Sequence, residues 1–314
     1  MKTLLAIFAH PDDESHGPGG TLAKYAREGV AVHYLCATRG EAGQVEDHFL
    51  HKCGSIAELR TAELQRAANT LGLAAVHLLN YRDSGMLGSV NNLHPDSLCA
   101  APLDQVAERI ARYIHFLQPD VVITHDQYGW YGHPDHIKCH QATLRAYELL
   151  YGLTPGAAAA RNGHQGPANN GGITAPRLYT STVPKGVLKL AVRVLPVVGR
   201  DPRRFGQNGD IDLTRIAAWE VPVTTRIRVG AYRKVRAQAI ACHASQQPLA
   251  QTSNPVFRAL LQREQAVETF GRVYPPFKTG ERLETDLFSR PLARAPGLKA
   301  PSAIWGLIGA KSDA

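Results

Sequence analysis

Thr3-Leu4-Leu5-Ala6-Ile7-Phe8-Ala9 runs directly into His10-Pro11-Asp12-Asp13-Glu14, and Gly19-Gly20 then opens a helical stretch from Thr21 to Glu28 that Gly29 closes. A short, unbroken apolar run that ends in a turn reads as a strand buried on both faces. The same alternation recurs. Strands are predicted at 30–38, 75–81 and 120–126, and helices at Ile56–Leu71, Leu103–Leu117 and Pro134–Tyr151. Strands alternating with helices imply parallel βαβ units, so the fold class is α/β: a Rossmann-like, mostly parallel sheet flanked by helices. Ligands of such sheets bind beyond the carboxyl ends of the strands. His10–Glu14, Asp83 and Asp126–His136 each follow a predicted strand, so these polar residues are expected on one rim.

Beyond this core the pattern weakens. We expect a catalytic core at 1–151, a flexible low-complexity insertion at 152–176, and an extended tail at 291–314. Residues 177–290 form a smaller C-terminal α/β appendage that completes the sheet and walls the cleft, with strands near 178–183 and 220–229 and a helix near 232–243. At 314 residues, 44% apolar and 20% charged, the chain has the composition of a soluble globular enzyme. Its five cysteines are scattered, with no C-x-x-C pair, so neither a disulfide framework nor a thiolate zinc site is indicated and a reducing cytoplasm fits best. The apolar run at the N-terminus stops at His10, too short for a signal peptide. Val187–Val198, interrupted by Lys189, Arg193 and Pro196, is too short and too broken to span a bilayer. The formal charge of +8 is concentrated: residues 185–236 hold 12 Lys/Arg against 4 Asp/Glu. Such a stretch either faces solvent or draws an anionic partner.

Three adjacent acids after an apolar strand repel one another unless a cation compensates. Catalytic zinc is commonly held by two imidazoles and a carboxylate, with a position left for water. His10, Asp13 and His136 would supply that set. Amide hydrolysis also needs a base for the attacking water and a group that stabilises the oxyanion or protonates the leaving amine. Asp12 is placed for the first role and His133 for the second, with Asp135 able to orient His133. The bland alternative for the acids, a helix N-terminus charged against its dipole, leaves the second His-Pro-Asp-His segment unexplained.

Ala9-His10-Pro11-Asp12-Asp13-Glu14, Gly19-Gly20-Thr21, Arg39-Gly40-Glu41, Arg82-Asp83-Ser84-Gly85-Met86 and His133-Pro134-Asp135-His136 resemble the PIG-L/LmbE-like zinc N-deacetylases, over about residues 3–150. The resemblance implies one Zn2+ per subunit, or another divalent ion, held by His10, Asp13 and His136. It implies Asp12 as general base, His133 as the oxyanion-stabilising or acid residue, and Asp135 behind it. It further implies that Arg60 and Asp83 grip sugar hydroxyls and that Tyr131 borders the scissile carbonyl. Ala241-Cys242-His243-Ala244-Ser245-Gln246 resembles a C-terminal segment of the mycothiol-type members, so His243 either reaches the site or merely ends a helix. The implied substrate is a small N-acetylated amino sugar, with an anionic one suggested by the basic stretch, and the implied product is a free amine. A homo-oligomer is compatible with this reading.

Two other classes fit less well. A dinucleotide-binding protein needs G-x-G-x-x-G after strand 1, where this chain puts acids that repel phosphate. A nucleic-acid-binding protein needs a recognition motif, and none occurs, so no nucleic-acid partner is expected. A zinc amidase acting on a larger N-acyl or thiol conjugate keeps the same site with a different substrate.

Overall fold

The computed structural model describes residues 1–51, 53–153, 174–183, 185–205, 209, 211–246, 266–278 and 280–289. The expected insertion lies outside the described residues at 154–173, and the expected tail lies wholly outside them. In chain order the elements are β1 (Thr3–Phe8), α1 (Asp13–His16), α2 (Gly19–Arg27), β2 (Ala31–Thr38), α3 (Asp47–Leu50), α4 (Ile56–Leu71), β3 (Ala75–Tyr81), α5 (Leu103–Leu117), β4 (Val121–His125), α6 (Gly129–Gly132) and α7 (Pro134–Tyr151). There follow β5 (Arg177–Thr182), α8 (Lys185–Val194), α9 (Leu213–Ala218), β6 (Thr225–Arg228), α10 (Arg233–Cys242) and β7 (Val267–Tyr274).

β1 lies mid-sheet, hydrogen-bonded in parallel to β2 on one side and β4 on the other. Its alternation assigns its faces. Leu5, Ile7 and Ala9 pack with residues of α5 and α7, while Leu4, Ala6 and Phe8 pack with Leu22 of α2 and Leu64 of α4. With both faces covered, no position on β1 can be polar without a partner, hence the uninterrupted apolar run. The sheet order is β3-β2-β1-β4-β5-β7-β6. The strands from β3 to β5 are parallel, and β7 runs antiparallel to both β5 and β6.

The helices start and stop where local chemistry directs. Ser55 Oγ accepts the Glu58 N–H to cap α4, and Gly72 ends it at φ 80°. Pro134 occupies the first turn of α7, where its missing N–H costs nothing, and Gly152 ends that helix. The two longest elements missing from the sequence reading are α8 and β7. The first part of Val187–Val198, read only as a broken apolar stretch, belongs to α8, where Lys189 and Arg193 fall on the exposed side. β7 has no counterpart in the prediction, since its alternation is interrupted by Gly271 and its partners are distant in sequence. Among the described residues no helix is long and apolar enough to cross a membrane.

Candidate active site

The carboxyl ends of β1, β2, β3 and β4 converge, and the loop after β1 sits at the centre. Its turn is built around Asp13, whose Oδ2 accepts the Ala9 and His10 N–H groups at 3.1 and 2.8 Å. That leaves Oδ1 free to face His136 Nε2, 3.4 Å away. His10 Nδ1 lies 3.0 Å from His136 Nε2 and 3.7 Å from Asp13 Oδ2. Ligands at about 2.0–2.1 Å around a tetrahedral zinc stand about 3.3 Å from one another, a spacing close to those between His10 and His136 and between His136 and Asp13. Among the described residues three donor sets could hold an ion: His10 with His133 and His136, Asp13 with His125 and His136, and His10 with Asp83 and Asp135, overlapping at His10 and His136. His125 Nε2 is already occupied by the Ala9 N–H at 3.2 Å, and His133 Nδ1 by the Asp135 N–H at 3.2 Å. Burial disfavours the Asp13 carboxylate, but His136, His125 and His10 outweigh it and hold its pKa well below the usual range.

His10 offers its second nitrogen to carboxylates, as metal-bound histidines do. Its Nε2 lies 3.3 Å from Asp135 Oδ2 and 3.4 Å from Asp83 Oδ1. This corrects the expected role of Asp135. The side chain does not reach back to His133. It faces His10 and accepts both the backbone N–H and the hydroxyl of Ser84, a residue of the loop after β3. His133 is instead the N-cap of α7. Because its Nδ1 accepts the Asp135 N–H, a neutral ring carries its proton on Nε2. Burial, followed by the nearby His10, pushes the His133 pKa down to about 3, so the neutral form prevails.

Asp12 is held in the left-handed region at φ 119°, which is costly for a residue other than glycine and persists only when its surroundings enforce it. Its N–H donates to Glu14 Oε2 at 3.0 Å, and Arg60 lies 3.2 Å from its Oδ2. Burial raises the Asp12 pKa, and Arg60 offsets part of that rise. Arg60, expected to grip a sugar, is engaged with the protein: Nη1 donates to Gly40 O and Nη2 to Pro11 O. Gly40, at φ 71°, must be glycine, because a Cβ there would collide with this guanidinium.

Above these residues opens a cavity of about 620 Å³, lined by His10, Asp12, Arg60, Asp83, Tyr131 and His133, with Met86, Ile211, Ser245 and Gln246 among its walls. Tyr131 packs edge-on to His133 and His136 and lines the space. Asp83 uses Oδ1 to accept the Gly85 N–H at 2.8 Å, which leaves Oδ2 for a ligand. His243 does not line the cavity. It is fully buried, with Nε2 2.7 Å from Glu14 Oε1, so it backs the catalytic loop instead of touching substrate. None of the Lys and Arg of 185–236 lines the cavity, so an anionic substrate gains no support from them.

The sequence reading passed over two contributors. His125 ends β4 as a buried residue stacked on His136 at 3.8 Å, and it looks like any strand residue until its neighbours are known. Arg236 donates to the Ser15 and His16 carbonyls, tying α10 to the catalytic loop.

Residues 5–147 match the family described as PIG-L, GlcNAc-PI de-N-acetylase. The chain is 33% identical to a 1D-myo-inositol 2-acetamido-2-deoxy-alpha-D-glucopyranoside deacetylase of Thermobifida fusca, across 92% of this chain and 99% of that one. A protein of the same name from Thermomonospora curvata is 32% identical across 90% of this chain and 92% of its own. By structure the chain is similar to the N,N'-diacetylchitobiose deacetylase of Pyrococcus horikoshii, with a TM-score of 0.54 at 20% identity over 86% of this chain and 83% of that one, a likeness of fold. With relatives of this identity aligned along nearly its whole length, the chain belongs to the PIG-L family of de-N-acetylases, hydrolases of amide bonds.

Proposed function

We propose that the chain is a zinc-dependent deacetylase that removes the N-acetyl group from a GlcNAc-containing small molecule, releasing acetate and a free amine. The observation that carries this reading is the grouping of two imidazoles and a carboxylate beside a strained Asp12, with His10 and Asp12 opening onto the cavity. A divalent ion bound by His10, Asp13 and His136 would acidify a water and polarise the acyl oxygen. Asp12 takes the proton of the attacking water, its basicity raised by burial and limited by Arg60. His133 presents Nε2–H to the developing oxyanion, a donor fixed in place by the helix cap before the reaction begins. Asp135 and Ser84 hold the His10 ring, Asp83 offers an acceptor to a sugar hydroxyl, and Arg60 positions Asp12. Residues 177–290 act as the cleft wall, a reading supported by Ile211, Ser245 and Gln246 at the cavity. Five unpaired cysteines support a cytoplasmic location.

The relatives' names make the inositol glycoside of N-acetylglucosamine the first substrate to try. The test assays zinc-loaded protein against this and other N-acetylglucosamine glycosides, reading free amine. Amine release that disappears in Asp12→Asn, with zinc retained by elemental analysis, is the expected result. Release only from longer N-acyl groups would replace the deacetylase reading with a broader amidase.

A further inference from the structure

The Lys and Arg of the basic stretch are absent from the cavity lining, and the placement of those on α8 is informative. α8 begins just beyond the carboxyl end of β5, the parallel neighbour of β4, so it starts from the same rim as the catalytic loops. Along its solvent side Leu190 and Val194 are exposed, and Val197 follows in the turn that continues the helix, 84% exposed. These positions, spaced by four and then three residues, form one stripe. Lys189, Arg193 and Arg200 are exposed beside it. Farther along, exposed Phe205 exchanges backbone hydrogen bonds with Ile211, which lines the cavity. Leu87, another lining residue, is 80% exposed, and Val90 and Leu93 just after it are 86% and 88% exposed. Large aliphatic side chains thus stand in water on α8 and the turn after it, where they alternate with cations, and also on the segment that begins at the cavity-lining Leu87.

A surface of this kind needs a partner that accepts both parts. Duplex or single-stranded nucleic acid offers phosphates, but no apolar phase for Leu190, Val194 and Val197. A second copy docking symmetrically would set Lys189 and Arg193 against their own equivalents. An anionic bilayer satisfies both: aliphatics enter the headgroup–acyl boundary while Lys and Arg meet lipid phosphates. We propose that the exposed side of α8 and the turn after it is a peripheral docking surface for an anionic lipid bilayer.

The experiment sediments the full-length protein with vesicles of phosphatidylcholine alone or mixed with phosphatidylglycerol, at low and high salt. Binding to the anionic vesicles only, weakened by salt, is expected. The double variant Val194→Gln/Val197→Gln, which keeps every charge, should lose at least tenfold in vesicle affinity, as should Lys189→Gln/Arg193→Gln. All these positions are exposed, and unchanged thermal midpoints confirm folding. The proposal is overturned if the wild type ignores anionic vesicles, or if it binds neutral ones equally well. It is also overturned if the Val194/Val197 variant binds like wild type while only the charge variant fails, since that pattern describes a general polyanion surface such as one for DNA.

Discussion

Replacing His243 with alanine asks whether the C-terminal segment holds the catalytic loop in its working shape. His243 and Glu14 are both fully buried, and their side chains meet at 2.7 Å. Glu14 also accepts the Ser15 hydroxyl at 2.6 Å and the Asp12 N–H at 3.0 Å, so it is the link between His243 and the strained base. Breaking a buried pair from one side costs about 3–5 kcal/mol, because the remaining charge loses its partner. Glu14 keeps its other two donors, so we expect a loss near the lower end, about 3 kcal/mol. A left-handed backbone at a residue such as Asp12 stores about 1–3 kcal/mol, which the loop releases once its anchor loosens. A displacement of about 1 Å in a reacting group can cost about 100-fold, so kcat should fall by about 10–100-fold with KM little changed. His243→Gln, which keeps an N–H donor, should recover part of both losses.

Urea unfolding gives the stability, and steady-state amine release well below the midpoint gives the kinetics. The pH dependence has a definite sign. Burial lowers the His243 pKa, but Glu14 outweighs it and the net shift is upward. The stabilisation is therefore complete below the unfolded histidine value, about 6.5, and fades as pH rises through the folded one. The gap between wild type and His243→Ala should shrink along that rise. A variant within about 0.5 kcal/mol of wild type, with unchanged kcat, would refute the reasoning.

Asp135→Asn leaves the shape intact but weakens the hold on His10, and it should lower metal affinity by about 10–100-fold in chelator competition; unchanged affinity would detach Asp135 from the metal site. His133→Ala removes the Nε2–H donor and should lower kcat by about 10²–10³-fold with little change in KM; an unchanged kcat would remove His133 from the reaction. Glu284 joins Arg177 and Arg272 on β5 and β7, and although burial opposes its charge, Arg177 and the hydrogen bonds around it hold its pKa low. A depressed carboxylate stabilises above its unfolded pKa and loses that contribution as pH falls through the folded value. Glu284→Gln should therefore melt lower than wild type at neutral pH, with the difference closing below about pH 4; a difference that stays constant with pH would exclude an ionic origin.

Much of this protein is legible in one dimension. β1 announces itself because burial on both faces forbids polar residues from Leu4 to Ala9. The bounds of α4, α5 and α7 follow from apolar spacing, with Ser55, Gly72, Pro134 and Gly152 at the ends of α4 and α7. The site's position is equally readable, since His10, Asp83 and His133 all lie just past strands that must end on one rim. These are local properties: periodicity, caps and turn chemistry are set by residues a few positions apart.

Partnerships between side chains are not local. The Asp135 carboxylate pairs with His10 and Ser84, and only its backbone N–H reaches His133, because the loops after β1 and β3 both approach the start of α7, which no spacing within residues 133–136 reveals. His243 reaches Glu14, 229 positions earlier, because α10 packs behind the catalytic loop. Arg60 joins two different loops by donating to the carbonyls of Gly40 and Pro11. The outward placement of the basic stretch likewise depends on how α8 and α9 pack. Sequence alone determined which groups could do the chemistry and at which edge of the sheet. Only the tertiary structure decided which of them face one another, because a hydrogen bond or metal ligand depends on convergence in space of segments whose separation along the chain carries no such information.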